Sequence, residues 1–190
     1  MLKPVYSKFI LLIFLLLQCS TLYAMDHNVY YVGVSVGRTT LDLDGKSENG
    51  TLTEVLLGQY YNESDFAFEA AYTELDKYNI KTTAGSSSTD TEYDIKGLKF
   101  LANKNFLYTP TWYMNVKGGL IYWQEDTTTT IKNAATETKT DDTNRGTSIY
   151  VGLGYSYSMT KDSRVNLTIE RFNTDNAKFA DVVLGIIFSL

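Results

Sequence analysis

The stretch VVLGIIFSL, residues 182–190, decides the fold. Its alternate residues form two unequal faces, and this period of two is typical of a β-strand. The opposite face is smaller and includes Gly185 and Ser189. Because a frayed soluble terminus is usually polar, we interpret the stretch as a strand whose larger face meets an apolar medium. That larger face consists of Val182, Leu184, Ile186, Phe188 and Leu190.

The same alternation recurs along the chain and predicts about eight strands. Short and long polar breaks alternate between them, as in outer-membrane barrels with tight periplasmic turns and long external loops. We therefore predict an all-β fold, an eight-stranded antiparallel up-and-down transmembrane β-barrel. The predicted strands are 28–43, 51–62, 65–80, 91–104, 111–126, 144–159, 163–174 and 179–190.

The facing of the strands separates a membrane barrel from a soluble carrier of the lipocalin type. In SIYVGLGYSYSM, residues 148–159, one face is large and apolar and the other is Gly and Ser apart from Tyr150. A narrow barrel has room for modest side chains inside, so we expect small polar residues inside and large apolar ones outside. The pairs Trp112–Tyr113 and Tyr122–Trp123 are interpreted as two interfacial girdles. The second strand is ambiguous in phase, and its facing stays open.

The N-terminus has the layout of a secretory signal peptide over residues 1–24, followed by a barrel domain over 25–190. Lys3 and Lys8 precede a short apolar run that cannot span a bilayer. In the alternative interpretation, Cys19 becomes the N-terminus after cleavage and carries a lipid. We expect export to the outer membrane of a Gram-negative bacterium.

Cleavage after residue 24 would change the chemistry of the chain. It would remove two lysines, so Lys+Arg falls from 17 to 15 against 22 Asp+Glu, and the net charge goes from −5 to −7. This acidic balance argues against nucleic acid as a partner. The only cysteine would also be lost, which excludes disulfides and thiolate metal sites.

Three stretches resemble the transmembrane domain of the OmpA family of bacterial outer-membrane proteins. They are FAFEAAY (66–72), KGLKFLANKNFLYTPTWYMNVKGGLIYW (96–123) and GLGYSYSMTKDSRVNLTIERF (152–172). Relatives often carry basic residues where this chain has Asn103 and Thr168. The interior ion cluster of the family therefore cannot be carried over unchanged.

The C-terminal strand also resembles the family's assembly signal, Gly–x–x–aromatic–x–hydrophobic. The matching residues are Gly185, Phe188 and Leu190, where the family usually ends on Phe. The resemblance implies recognition by the barrel-assembly machinery and by periplasmic chaperones.

Four charged residues point into the predicted barrel by parity: Glu69, Lys99, Lys117 and Glu170. Unpaired charge in a narrow lumen is expensive, so we expect these groups to pair or to reach trapped water. One interpretation is a polar filling that specifies strand register. The other is a gate for small ions.

Three basic residues have outward parity near the external strand ends: Arg38, Lys96 and Arg171. They could contact lipopolysaccharide phosphates, as basic residues contact anionic lipid. Simple snorkelling at the membrane rim is the alternative.

The Thr-rich segment 125–145 and the segment around Gly85 are predicted to extend strands two to six beyond the membrane. Exposed strand edges can recruit other proteins by strand addition, which suits an adhesin that binds a host or extracellular protein. A disordered polar loop is the alternative.

Function classes can be narrowed from residue types. The only histidine, His27, precedes the first strand, so a Ser–His pair or a His-based metal site is not predicted. We expect no catalytic residues, metal or cofactor. The leading hypothesis is a structural or surface-interaction role, and the alternative is a narrow ion or small-solute channel.

Overall fold

The computed structural model describes seven segments of the chain. The predicted signal peptide, Cys19 and His27 lie outside the described residues, as do the tips of the two longest predicted hairpins. The described segments are 28–43, 46–61, 64–84, 87–107, 109–132, 136–174 and 177–190.

Eight antiparallel strands form one closed barrel, which confirms the predicted fold class. Each strand pairs with the next in sequence, and β8 closes the barrel against β1. The described part of the chain contains no helix with the length and apolarity needed to cross a membrane. The strands are β1 Asn28–Leu43, β2 Lys46–Tyr61, β3 Phe66–Ala84, β4 Ser87–Leu107, β5 Trp112–Lys132, β6 Glu137–Ser158, β7 Ser163–Asn173 and β8 Lys178–Ser189.

The large apolar face of the strands points outward, as predicted. On β6 the exposed side chains include Ile149, Val151 and Leu153, while Tyr150 between them is buried. The structure also settles the facing of β2, because Glu54 lies inside the barrel.

The interpretation of both aromatic pairs as girdle residues is wrong for one member of each pair. Tyr122 is 46% exposed on the outer surface, whereas Trp123 is 1% exposed and lies in the lumen. Likewise Trp112 faces outward and Tyr113 inward. The physical reason is the strand geometry itself, since successive side chains point to opposite faces.

The half of the lumen away from the short β6–β7 turn is apolar. This differs from our expectation of small polar residues throughout the interior. Glycines on neighbouring strands make room for its large rings: a Cβ on Gly50 would lie 2.9 Å from the Tyr78 ring. The buried side chains of this apolar core include Leu41, Leu52, Leu75, Tyr78, Ile95, Ile121, Trp123, Phe172 and Phe179.

Four strands continue past the rest of the barrel at the end opposite the short β6–β7 turn. The first β6–β7 pair is Tyr150–Phe172, so residues 137–149 of β6 pair only with β5 in the described structure. The β2–β3 pairing ends at Leu52–Leu75, followed by an irregularity in β3. We name residues 78–84, 87–95, 125–132 and 137–149 the projecting sheet. The extension of β2 pairs instead with β1.

Candidate functional site in the barrel lumen

Lys99 on β4 is the centre of a buried ion cluster. Its Nζ lies 2.6 Å from Oε2 of Glu54 and 2.9 Å from Oε2 of Glu170. The same ammonium lies 4.7 Å from the ring centroid of Tyr150. Since these partners belong to β2, β7 and β6, one lysine links four strands across the lumen.

Lys117 forms a second, separate ion pair nearer the end of the barrel that carries the short turns. Its Nζ lies 2.7 Å from Oε2 of Glu69. The other oxygen, Oε1, accepts hydrogen bonds from the Tyr31 hydroxyl at 2.8 Å and from Asn103 Nδ2 at 2.9 Å. Gly58 is needed here, because a Cβ at this position would overlap the Tyr31 ring.

The structure thus places the four predicted interior residues in two clusters, Lys99 with Glu170 and Lys117 with Glu69. Sequence reasoning missed Glu54, because the phase of the second strand was open. It also missed the role of Asn103, whose Nδ2 donates a hydrogen bond to Oε1 of Glu69. Parity assigns residues to the lumen but gives no information about their height along the barrel axis.

A network of neutral side chains lies below the Lys117 pair, towards the short turns. Asn115 Nδ2 donates to Ser156 Oγ at 2.9 Å and to Asn166 Oδ1 at 3.1 Å. Asn166 Nδ2 in turn donates to Thr168 Oγ1 at 3.1 Å. Three strands, β5 to β7, are therefore joined by hydrogen bonds in addition to their backbone ladders.

Asp181 on β8 is a buried carboxylate that sequence reasoning did not identify. It is 0% exposed, and neither carboxylate oxygen has a hydrogen-bonding partner. Its inward neighbours along the strand, Phe179 and Val183, belong to the apolar core. Its pairing partners are Thr39 on β1 and Glu170 on β7, so a further carboxyl group lies beside the Lys99 cluster.

The chemistry of the lumen is charge neutralisation and hydrogen bonding. Among the described residues, no group of three or more His, Cys, Asp or Glu side chains is arranged to hold a metal ion. Breaking a buried ion pair by removing one partner is strongly destabilising, whereas replacing the whole pair by apolar groups is often neutral. The two clusters therefore link strands across the lumen through paired charges.

The three basic rim residues do not form one site. Arg38 on β1 and Arg171 on β7 are exposed and pair in register with Val182 and Ala180, so both flank β8. Lys96 lies on β4, across the barrel, where its Nζ is 3.2 Å from Oδ2 of Asp94.

The residues of the C-terminal motif lie on the closing strand. Gly185 packs against Ser35 inside the barrel, and a Cβ there would overlap the Ser35 hydroxyl. Phe188 and Leu190 are exposed on the outer surface. The backbone N–H of Leu190 donates to the Tyr30 carbonyl at 2.8 Å, which extends the seam between β8 and β1.

The sequence profile of the family described as "Outer membrane protein beta-barrel domain" matches residues 9–188. The chain belongs to the outer-membrane protein β-barrel family. This membership confirms the resemblance to small outer-membrane barrels and places the protein in the bacterial outer membrane. By the architecture of that family, the short turns face the periplasm and the projecting sheet faces the exterior.

Solved structures share the fold of this outer-membrane barrel at low sequence identity. Ail of Yersinia pestis has a TM-score of 0.60 at 10% identity, covering 86% of this chain and 99% of Ail. Neisserial surface protein A gives 0.59 at 12%, covering 85% and 97%. OprG of Pseudomonas aeruginosa gives 0.52 at 11%, covering 86% and 96%. No curated protein is significantly similar to the chain.

Proposed function

We propose that this outer-membrane barrel is a non-enzymatic surface-interaction protein that presents the projecting sheet to an extracellular protein. The observation that carries the proposal is the strand register. Residues 137–149 of β6 extend beyond the last β6–β7 pair, so one edge of the projecting sheet has no neighbouring strand in the described structure.

An open edge offers a row of backbone donors and acceptors to an extended segment of another protein. Charged side chains on such an edge discourage unspecific pairing, and this edge carries Glu137, Lys139, Asp141, Asp142 and Arg145. We infer that main-chain hydrogen bonds supply affinity and that these charges select the partner.

The charge of the projecting sheet narrows the class of partner. Its residues, as defined above, include eight Asp and Glu against four Lys and Arg, a balance of −4. Ail has been crystallised in complex with the heparin analogue sucrose octasulfate. A net negative sheet disfavours a sulfated polyanion, so for this chain we propose a protein partner that offers a neutral or basic extended segment.

The adhesin test removes the tip of the projecting sheet while keeping the barrel. We expect replacement of residues 127–142 by a short turn to abolish adhesion of expressing bacteria to a panel of immobilised extracellular proteins. Heat-dependent gel mobility checks that the barrel is still folded. A matched trim of residues 81–90 tests whether the β6 edge is specifically required. Undiminished adhesion after the 127–142 trim would show that this edge is not required for partner binding.

We further propose that the lumen does not conduct ions. The two lysine clusters and the apolar core lie in series along the barrel axis, which supports a filled lumen over the narrow-channel alternative. In a planar bilayer, we expect a silent wild type and a silent Lys117→Ala variant. Discrete conductance steps that shift in the variant would favour the channel instead.

Export and assembly complete the proposal. We propose that residues 1–24 are a cleaved signal peptide, so N-terminal sequencing of the outer-membrane form should begin at Met25.

We also propose that Gly185, Phe188 and Leu190 guide recognition by the assembly machinery and periplasmic chaperones. At the membrane rim, we propose that Arg38 and Arg171 together contact lipopolysaccharide phosphates. Lys96 lies apart from that pair.

A further inference from the structure

A cavity opens at the periplasmic end of the barrel, below the Lys117 pair. Its volume is about 370 Å³, which lies within the range of small-molecule sites. It is lined by inward residues of β1, β2, β3, β4, β6, β7 and β8 together with Lys161 and Asp162 of the β6–β7 turn and the C-terminal Leu190. The proposed surface interaction makes no use of it.

Arg164 on β7 is the cation that a strand places in this cavity, whereas Lys161 of the turn lies 3.9 Å from Oδ2 of Asp162. Its guanidinium carbon lies 5.1 Å from the Tyr113 ring centroid and 5.6 Å from that of Tyr60. Among the described residues it makes no ion pair with a carboxylate. Ring faces leave the in-plane N–H donors of a guanidinium unused, and that planar fork matches a carboxylate.

The two rings that hold Arg164 are themselves anchored in the periplasmic turns. The Tyr60 hydroxyl donates to Asp65 Oδ1 at 2.8 Å. The Tyr113 hydroxyl donates to the Pro110 carbonyl at 3.4 Å. The guanidinium is therefore positioned before any ligand arrives, and such preorganisation favours binding.

The inner wall of the cavity offers a hydrogen-bond acceptor. Asn103 lines the cavity, is 6% exposed, and has no partner for its Oδ1. Its Nδ2 is used on Glu69, whose two oxygens are already occupied by Tyr31, Asn103 and Lys117. This oxygen has almost no accessible surface, so a ligand donor reaches it only after a small shift of the amide. Because burial of an unpaired amide oxygen is unfavourable, satisfying it favours that shift.

We propose that this cavity binds a small carboxylate that carries a hydroxyl or amino group on the adjacent carbon, taken from the periplasm. The carboxylate pairs with Arg164, and the hydroxyl or amino group donates to Asn103 Oδ1. Val29 and Ile187 line the same cavity and provide an apolar wall for a short side chain. Glu69, paired with Lys117, forms the inner end of the cavity, so the ligand is held at the mouth.

The test titrates the outer-membrane form of the chain, in detergent micelles, with glycolate, glycine and acetate. Isothermal titration calorimetry should show saturable binding of glycolate or glycine at millimolar concentration and weaker binding of acetate, which lacks the donor. Glycolate against glycine distinguishes a hydroxy acid from an amino acid. The sequence has four arginines, so ¹⁵N-arginine labelling should locate the shifted Nε–H resonance at Arg164.

Two matched variants on β7 decide the role of the guanidinium. Arg164→Gln should weaken binding at least about tenfold, because a charge-assisted pair is lost. Arg171→Gln, on the outer face of the same strand, should leave the affinity unchanged. The proposal is overturned if neither glycolate nor glycine binds, or if Arg164→Gln binds as well as the wild type. Acetate binding equal to glycolate would overturn the role of Asn103.

Discussion

The two halves of the lumen are lined by different kinds of side chain. The inner half is joined by the Lys99 and Lys117 ion pairs, whereas the external half is an apolar core around Trp123 and Phe179. Apolar packing tolerates changes that conserve volume. An ion cluster tolerates almost none, because each charge needs its own partner. From this comparison we expect a substitution in an ion cluster to lower the stability more than a substitution in the apolar core.

Loss of one lysine should have the largest effect. Lys99→Met leaves the buried carboxylates Glu54 and Glu170 without their ion pair. We expect a loss of about 3–5 kcal/mol in the free energy of unfolding, the range for a broken buried pair. Urea unfolding in lipid vesicles, followed by tryptophan fluorescence, measures it. Lys96→Met on the outer face of the same strand is the matched control.

A triple variant separates lost charge pairing from lost packing. Lys99→Met combined with Glu54→Gln and Glu170→Gln removes the charge together with its partners, and most of the stability should return. If the triple variant stays as unstable as Lys99→Met, packing of the lysine stem rather than ion pairing stabilises this half of the lumen.

Truncation in the apolar half should have the next largest effect. Leu75 is buried in the apolar core, so Leu75→Ala removes apolar contact and leaves a cavity, with an expected loss of about 2–5 kcal/mol. Leu98→Ala, on the outer face of the neighbouring strand, creates no internal cavity and should have a smaller effect. Equal losses for the two variants would mean that the external half of the lumen is not packed as a core.

Asp181 lies where the two halves meet, and its replacement should stabilise the protein. Asp181→Asn replaces a buried carboxyl group that has no hydrogen-bonding partner, and the new amide can donate towards Glu170. We expect a gain of about 1–3 kcal/mol, the size of the penalty for an unsatisfied buried group. Asp162→Asn, in an exposed turn, should change nothing. A destabilised Asp181→Asn variant would show that the carboxylate is needed in its charged form.

Alternation along the strands was sufficient to predict the barrel, its facing and the lumenal position of Glu69, Lys99, Lys117 and Glu170. It could not predict which of these groups pair, because strand tilt sets the height of each residue and the sequence carries no direct signal of tilt. Glu54 was missed because the apolar run of the second strand is compatible with either set of alternate residues pointing inward. Arg164 was missed because its two tyrosine partners come from distant strands.

The smallest expected effect on stability concerns the projecting sheet, which we compare with the barrel. Thr140 is exposed on β6, opposite Thr129 of β5 and without a neighbour on its other side in the described structure. Thr140→Lys should change the free energy of unfolding by no more than about 0.5 kcal/mol, as is usual for surface substitutions. It should nevertheless weaken partner binding, because lysine on an open edge discourages strand addition. A loss of stability as large as that of Leu75→Ala would instead mean that the projecting sheet and the barrel core unfold as one unit.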